Sequence, residues 1–352
     1  MTELMKWKVR TPNKKRFLDA LRHRESAEIP FYELEFYPGI VSAILGRKIA
    51  DRSYLMSAGD SIEFACRVGL DLCHLGVPWW LGREKYTDEN GMVRYKPGAM
   101  EAGSDLRRIK PPDLDSAKRR IEALLKAREG TALGWTVALP TTAAVIVAAM
   151  GFENYYTAVR EDPAFVENFL DRIEEQLFPV TEAVLSYQPD AVCLAAFVCF
   201  KSGLLMSREL TERFVLGRME RHLRLFHAKS VPVVVHSDGD NAAVMDRWIG
   251  MGIAAFHPVE PSEQYTIYEY KKRWGDRIAL CGNIDCATVL SRGSPEEVAR
   301  DTLAHLERLS AGGGYICGSS NDIDDNIPLE NLRAMAETVA QYKRGTGNQR
   351  GL

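Results

Sequence analysis

One short stretch of this sequence combines residue types that could carry out acid–base or metal chemistry. Residues 231–241 read VPVVVHSDGDN, so a run of mostly β-branched residues ends on His236 and, two positions later, Asp238. The apolar run is typical of a buried parallel strand, and groups just past the carboxyl ends of such strands face a crevice in which ligands bind. Two interpretations are open: a catalytic pair, or a hydrogen-bonded core histidine followed by an aspartate that caps the next helix.

Other apolar runs of the chain also end on polar side chains. Three of the seven histidines, His74, His236 and His257, lie at such ends, whereas the other four fall in helical patterns. We therefore predict a single site built from strand ends. Its candidate catalytic residues are His236, Asp238, Glu260, Asn283, Asp285 and Asn321, and its candidate substrate-binding residues are Glu35, His74, Trp79, Trp80, His257 and Ser320.

Three of these candidates have a structural alternative. His257 precedes Pro258 and is also explained as a packed core residue. Trp79 and Trp80 are expected either to form pocket walls or to pack within loops.

The elements that must position these residues alternate regularly along the chain. Apolar segments predict eight strands, at residues 29–37, 70–76, 133–140, 191–198, 231–235, 253–260, 278–285 and 314–320. Helical patterns separate them and close the chain, at residues 11–25, around 61–68, 114–129, 142–150, 163–187, 207–229, 241–251, 263–274, 295–310 and 329–343. Eight strand–helix units of this kind indicate an α/β fold, a (β/α)₈ TIM barrel.

The alternative fold is a doubly wound open sheet. Its dinucleotide fingerprint is missing, because the glycine cluster at residues 312–314 precedes a strand and does not open a helix. We predict three parts: an N-terminal helical extension at 1–28, the barrel at 29–343 and a flexible tail at 344–352. The long polar segment at 82–112 predicts a hairpin-like insertion after strand 2.

Composition narrows the class of protein further. The formal net charge is −3, from 45 basic and 48 acidic residues, which gives no indication of a nucleic-acid or anionic-membrane partner. Seven cysteines without a CxxC pair favour reduced thiols, and neither a signal peptide nor a long apolar run is found. We expect a cytoplasmic protein that acts on a small molecule, with a homodimer left open as its assembly.

Two mechanisms fit the predicted site, and spacing cannot separate them. In the first, His236 with Glu260, Glu35 or Asp238 binds zinc, which activates a thiol or polarises an ether oxygen. In the second, the same side chains act without metal as hydrogen-bond donors and proton carriers.

Longer segments resemble a known family. The stretches HSDGDNAAVMDRWIGMGIAAFHPVEP, KKRWGDRIALCGNID, GSPEEV and GGGYICGSSNDIDDNIPLENLRAM occur here in the order found in the carboxyl half of the uroporphyrinogen decarboxylase superfamily. The similarity extends more weakly back to about Thr11. It implies a (β/α)₈ barrel and one of two activities, decarboxylation or methyl transfer to or from a corrinoid cofactor.

Departures from the family pattern favour methyl transfer. True decarboxylases carry an arginine-rich segment after the first strand, where this chain reads ELEFYPGIVSAILGR with Arg47 alone, and their aspartate after strand two is replaced in HLGVPWW. The coenzyme-M-type methyltransferases resemble the chain at His236, but Asp238 and Asn321 correspond to their zinc-binding cysteines. A harder nitrogen and oxygen site of His236, Glu260 and Glu35 remains conceivable, as does a site without metal.

The resemblance therefore implies a methyltransferase that moves a methyl group from a small methylated substrate, such as a methoxylated one in an O-demethylase reaction, to a corrinoid held by a separate protein. Zinc is the candidate metal. A decarboxylase of a small or tetrapyrrole acid and a non-catalytic ligand-binding barrel are the alternatives.

Overall fold

Seven parallel strands form one curled sheet with helices packed around it, which confirms the predicted TIM-barrel-like α/β fold. The computed structural model describes residues 7–77, 79, 85–87, 93–96, 98, 100–261 and 265–343. Its strands are β1 (Leu72–Gly76), β2 (Lys85–Thr87), β3 (Val93–Tyr95), β4 (Gly134–Pro140), β5 (Ala191–Ala195), β6 (Cys199–Phe200), β7 (Gly203–Leu204), β8 (Val233–His236), β9 (Ala255–His257), β10 (Ala279–Cys281) and β11 (Tyr315–Ile316). The large sheet has the order β1-β4-β5-β8-β9-β10-β11.

The helices lie between these strands. They are α1 (Lys14–Leu21), α2 (Pro38–Leu45), α3 (Ala58–Val68), α4 (Leu114–Ala127), α5 (Thr142–Met150), α6 (Phe152–Glu161), α7 (Pro163–Leu185), α8 (Arg208–Thr211), α9 (Gly217–Ala228), α10 (Met245–Gly250), α11 (Ile267–Trp274), α12 (Pro295–Leu309) and α13 (Leu329–Gln341). Short 3₁₀ turns occur at Ser53–Leu55 and Leu106–Arg108, and π-type turns at Glu212–Leu216 and Cys286–Leu290. No described helix combines the length and the apolar character that crossing a bilayer requires.

Helix ends follow local sequence signals. The α12 helix begins with the predicted capping box, because the Ser294 hydroxyl accepts the Glu297 N–H while the Glu297 carboxylate accepts the Ser294 N–H. A second capping box, of Thr266 and Glu269, begins α11. Two helices, α2 at Pro38–Leu45 and α6 at Phe152–Glu161, are not predicted from the sequence.

The predicted first strand, residues 29–37, is wrong as a continuous strand. Residues 30–32 join the barrel: Tyr32 donates its N–H to Cys317, Cys317 donates to Pro30, and Asp71 donates to Phe31. These bonds fill the gap between β11 and β1. A second short stretch of pairing follows, in which Ile323 donates its N–H to Glu35 and accepts the Tyr37 N–H. Between these two bonds, the Phe36 N–H is donated to the Ser53 hydroxyl.

The hairpin-like insertion after β1 is confirmed where it is described. Strands β2 and β3 pair in antiparallel fashion, with Tyr86 opposite Arg94. The residues between them, and the predicted tail at 344–352, lie outside the described residues. The division into an extension, a barrel and a tail therefore stays a prediction.

Asp71, just before β1, fixes the closure of the barrel. Its fully buried carboxylate accepts hydrogen bonds from the backbone N–H groups of Asn13 and Phe31. The guanidinium groups of Arg10 and Arg16 bind the same carboxylate at 2.6 and 2.8 Å. One buried charge thus connects the N-terminal segment, the residues that close the barrel and the first strand.

The α1 helix plugs the amino-terminal end of the barrel. Phe17 and Ala20 of this helix are buried and belong to one apolar cluster with side chains of the barrel interior. The other members are Tyr32, Leu72, Ala191, Val234, Ala255, Ala279, Cys281 and Ile316. Most of the strand residues here are small, so the Phe17 ring supplies much of the volume that fills this end.

We predict that Phe17→Ala lowers the free energy of unfolding by about 3–5 kcal/mol, because it opens a cavity among groups that cannot collapse easily. Urea unfolding at equilibrium measures the change. Phe152→Ala is the matched control, since Phe152 is 50% exposed and its truncation is expected to cost about 0.5 kcal/mol or less. Equal losses for the two variants would contradict the plug.

Candidate functional site

The carboxyl ends of β8 and β9 bring two of the predicted histidines into direct contact. His236 and His257 are register partners on the neighbouring parallel strands, and their Nδ1 atoms lie 2.8 Å apart. A hydrogen bond between two such nitrogens needs a proton on one and a lone pair on the other. The two rings must therefore adopt complementary protonation patterns.

Burial keeps the His257 ring uncharged. His257 is fully buried, and burial, assisted by the nearby His236 and His74, holds its pKa well below the usual value. Neutral His257 can donate its Nδ1 proton to His236 Nδ1. His236 then carries its own proton on Nε2. This nitrogen lies 3.6 Å from Oδ1 of Asp238, whose negative charge favours a proton there.

Asp238 lies at the mouth of the barrel with a polar partner from the opposite side. Its side chain is 47% exposed, and its Oδ1 accepts a hydrogen bond from Nδ2 of Asn321 at 3.1 Å. The Asn321 amide is oriented in turn, because its Oδ1 accepts the Asp322 N–H. Two predicted residues that are 83 positions apart in the sequence therefore meet here.

The turn after Asp238 is held by Glu260, whose carboxylate accepts the Gly239 N–H at 2.7 Å. Gly239 has a φ of 81°, and a Cβ there would lie 2.6 Å from the Phe200 carbonyl. Only glycine meets both requirements at low cost. Phe200 of β6, 62% exposed, is brought beside the mouth by this close approach.

Two further carboxyl groups, those of Glu35 and Asp322, lie near His236. Glu35 forms an ion pair with Arg52, whose guanidinium also stacks over the Tyr37 ring and lies 3.9 Å from Asp322. Burial first, then the charge of Glu35, raises the pKa of Asp322 to about 7, although His236 and Arg52 oppose the rise. The Asp322 carboxyl is therefore partly protonated near neutral pH.

Arg52 and Asp322 were not predicted from the sequence. Asp322 follows Asn321 in the stretch SSNDIDD, so its neighbour's candidacy was the available signal. Arg52 lies in the loop after α2 and not at the end of a predicted strand, so the search for polar strand ends did not include it. Only the fold brings it to Glu35.

His74, on β1, contacts polar side chains of the neighbouring segments. Its Nδ1 is 2.6 Å from the Thr136 hydroxyl and 3.5 Å from the Tyr32 hydroxyl. Burial lowers the pKa of His74 to about 3, so the ring is neutral. The Tyr32 ring lies edge-on to both His74 and His257, with ring centres 6.3 Å away in each case.

Other predicted residues occupy supporting positions. Asn283 donates to the Val259 carbonyl at 2.6 Å and contacts His305 through its Oδ1. Val259 has a φ of 51°, a strained value for a β-branched residue, so Asn283 holds the strained turn that precedes Glu260.

Asp285, Ser320 and Trp79 bond to nearby backbone. The Asp285 carboxylate accepts from Ala287 at the start of a π-type turn, and the Ser320 hydroxyl accepts the Cys286 N–H. Trp79 is buried and donates its indole N–H to the Lys110 carbonyl. Trp80 lies outside the described residues.

The predicted metal ligands are placed apart by these contacts. Glu35 is bound by Arg52, Glu260 by a backbone N–H, and His236 has its Nδ1 engaged with His257. Among the described residues, no group of three or more histidine, cysteine, aspartate or glutamate side chains is arranged to hold a metal ion. Each of the three predicted donors is engaged with another protein group in this arrangement, and zinc binding by His236, Glu260 and Glu35 stays a prediction.

We predict that Asp322→Asn flattens the dependence of stability on pH. The folded-state pKa of Asp322 lies above its unfolded value, so the folded protein holds an extra proton between about pH 4 and pH 7, and the stability contributed by this group falls as pH rises through that window. The slope per group is at most about 1.4 kcal/mol per pH unit and is reduced by partial exposure.

Urea unfolding at pH 5 and pH 8 measures this slope. Asp105→Asn is the control, because the Asp105 carboxylate lies at the surface in an exposed pair with Arg107. An unchanged slope in Asp322→Asn would show that the Asp322 carboxyl is ionised throughout.

Comparisons with known proteins agree with this fold. The sequence model of the family described as Uroporphyrinogen decarboxylase (URO-D) matches residues 68–342. The uroporphyrinogen decarboxylase of Methylococcus capsulatus is 23% identical over 255 residues, which cover 69% of this chain and 70% of that protein. The methylated-thiol–coenzyme M methyltransferase of Methanosarcina mazei is 26% identical over 189 residues, which cover 52% of this chain and 47% of that protein.

A solved structure supports the same architecture. A methyltransferase from Methanosarcina mazei superposes with a TM-score of 0.73 at 17% identity, covering 94% of this chain and 98% of the other. At this identity the likeness concerns the fold.

Proposed function

Because this chain belongs to the uroporphyrinogen decarboxylase family, we propose that it is a methyltransferase of that family, which moves a methyl group from a small methylated substrate to a corrinoid carried by a separate protein. The similarity to a methylated-thiol–coenzyme M methyltransferase supports methyl transfer as the reaction class. Methyl ethers and methylated thiols are the substrate classes that we propose.

The charge of the barrel mouth is the observation that carries this proposal. Glu35, Asp238, Glu260 and Asp322 all contribute carboxylates there, and the guanidinium of Arg52 is already bound by Glu35. Uroporphyrinogen carries eight carboxylates and would need cationic partners at each contact. The ionised carboxylates at the mouth repel such a substrate, and the charges of Glu35 and Asp238 also contribute to the raised pKa of Asp322.

The reaction needs a proton donor for the leaving group. When the X–CH₃ bond of a substrate R–X–CH₃ breaks toward the methyl acceptor, its electron pair stays on X, and R–X⁻ must gain a proton to become R–XH. A carboxyl with a pKa of about 7 is well matched to that transfer, so Asp322 is the proton donor that we propose. His236, with a proton on Nε2, donates a hydrogen bond to the same heteroatom.

Other residues keep these donors in place. His257 fixes the protonated nitrogen of His236, and Asp238 attracts the Nε2 proton toward the mouth. The exposed Phe200 ring offers an apolar surface for the rest of a small substrate. The corrinoid, held by its own protein, would supply the methyl acceptor. Zinc stays a prediction from the resemblance, and loss of stoichiometric zinc in His236→Ala would support it.

We expect methyl transfer in a direct assay. The purified protein is mixed with reduced free cobalamin and a panel of methylated thiols and methoxylated phenols, and formation of methylcobalamin is followed by absorbance. Parallel samples with uroporphyrinogen are analysed for released CO₂. Release of CO₂ without methyl transfer from any donor would overturn the proposed function in favour of decarboxylation.

A matched histidine pair tests the site within this assay. His236→Ala should abolish most of the activity because it removes a donor at the reacting heteroatom. His227→Ala is the control, since His227 lies on α9 and contacts the Gly252 carbonyl, away from the mouth. Equal activity in the two variants would show that methyl transfer does not use the barrel mouth.

We predict that Asp322→Asn lowers the turnover number by about 10²-fold or more, because an amide cannot supply the proton. In the unsubstituted protein the rate should fall as pH rises through about 7, when Asp322 loses its proton. The variant should lack this decline. A decline of the same shape in the variant would assign the proton donor to another group.

A further inference from the structure

A buried carboxyl group that the proposed reaction does not use lies behind the mouth. Glu33 is 2% exposed, and both of its oxygens contact Ser319. The Ser319 N–H is donated to Oε1 at 2.8 Å, and Oε2 lies 2.5 Å from the Ser319 hydroxyl.

The Ser319 hydroxyl has a single proton, which fixes the direction of its hydrogen bonds. The Ser319 oxygen also forms a short hydrogen bond with the backbone carbonyl of Asn321. A carbonyl oxygen can only accept, so the single hydroxyl proton must be donated to Asn321. The contact with Glu33 is then a hydrogen bond only if Glu33 carries the proton.

We propose that Glu33, as an uncharged carboxylic acid, is the positioning residue for the loop at residues 319–322 and, through it, for the Asn321 amide that contacts Asp238. Glu33 donates to the Ser319 hydroxyl, which donates to the Asn321 carbonyl. The Asn321 side chain, fixed by the Asp322 N–H, then donates to Asp238.

The surroundings of Glu33 favour the uncharged form. Burial disfavours the charged form, because the Glu33 side chain is almost fully removed from water. The titratable groups that act on it are Asp322, which carries negative charge when ionised, the Tyr32 hydroxyl and the thiols of Cys281, Cys286 and Cys317. Burial raises the pKa values of the hydroxyl and of the three thiols. None of these groups is a cation, so an ionised Glu33 would be a buried charge that none of them neutralises.

The opposite side of the loop is held by β10 and the segment after it. Ile284 donates its N–H to Gly318 and accepts the Ser320 N–H, while the Cys286 N–H is donated to the Ser320 hydroxyl. The loop is therefore clamped between two segments, and Glu33 supplies the contacts on the side of the barrel closure.

The test reads the Asn321 amide directly in the ligand-free protein. Side-chain amides are labelled with ¹⁵N-asparagine, and the Asn321 signal is assigned by its loss in Asn321→Ser. Its shift caused by Asp238 is defined by comparison with Asp238→Ala. Glu33→Gln should keep this shift, because a glutamine accepts from the Ser319 N–H and donates to its hydroxyl as a carboxylic acid does. Glu33→Leu should lose the shift.

Two results would overturn the proposal. Loss of the shift in Glu33→Gln would mean that Glu33 acts as a carboxylate, and a retained shift in Glu33→Leu would mean that Glu33 does not position Asn321. If Glu33→Leu does not fold, Ser319→Ala replaces it and should also lose the shift. Because no substrate is present, these outcomes are independent of whether the proposed methyl transfer is correct.

Discussion

The buried carboxylate of Asp71 is the constraint on which the rest of the structure depends. It joins two arginines and two backbone N–H groups from two other parts of the chain, so the N-terminal segment and β1 are fixed to the short stretch that closes the barrel. A buried charge of this kind is costly unless all its partners are present, which makes the arrangement all-or-none. Glu33 and Glu35 follow that stretch directly, so the mouth inherits its geometry from this contact.

The mouth itself shows how neighbouring ionisable groups set each other's state. His257 is neutral because it is buried, and its contact with His236 determines which nitrogen of the outer ring faces Asp238. On the other side, Glu35 occupies the Arg52 guanidinium and so leaves Asp322 without full charge compensation. The positions of the protons on His236 and Asp322 are thus determined by burial and by the neighbouring ionisable groups.

The family resemblance and the contacts of the candidate site suggest different chemistry. The resemblance relates Asp238 and Asn321 to thiolate ligand positions, and in this fold the two side chains contact each other directly. An amide that donates to a carboxylate makes a hydrogen bond where two thiolates would bind a metal ion. The three predicted zinc donors are each engaged with another protein group, so the acid–base interpretation accounts for the contacts more completely.

The sequence by itself determined the barrel class, because eight apolar segments at regular spacing leave few other ways to bury their surfaces. It also located His236 at the end of a strand and Asp238 just past it, since that property depends on local periodicity. It could not show that residues 29–37 close the barrel through two short stretches of pairing, because these depend on Ser53, Cys317 and Ile323, distant in the chain.

The tertiary structure alone decided which candidates meet and in which protonation state. The contact of His236 with His257 follows from the register of β8 against β9, and Arg52 reaches Glu35 only through the loop after α2. Asp285 and Ser320 carry suitable side chains, but their hydrogen bonds go to nearby backbone groups. Residue type and spacing predict where polar groups stand along a strand, whereas burial and neighbouring charge, which set their pKa values, exist only once the chain has folded.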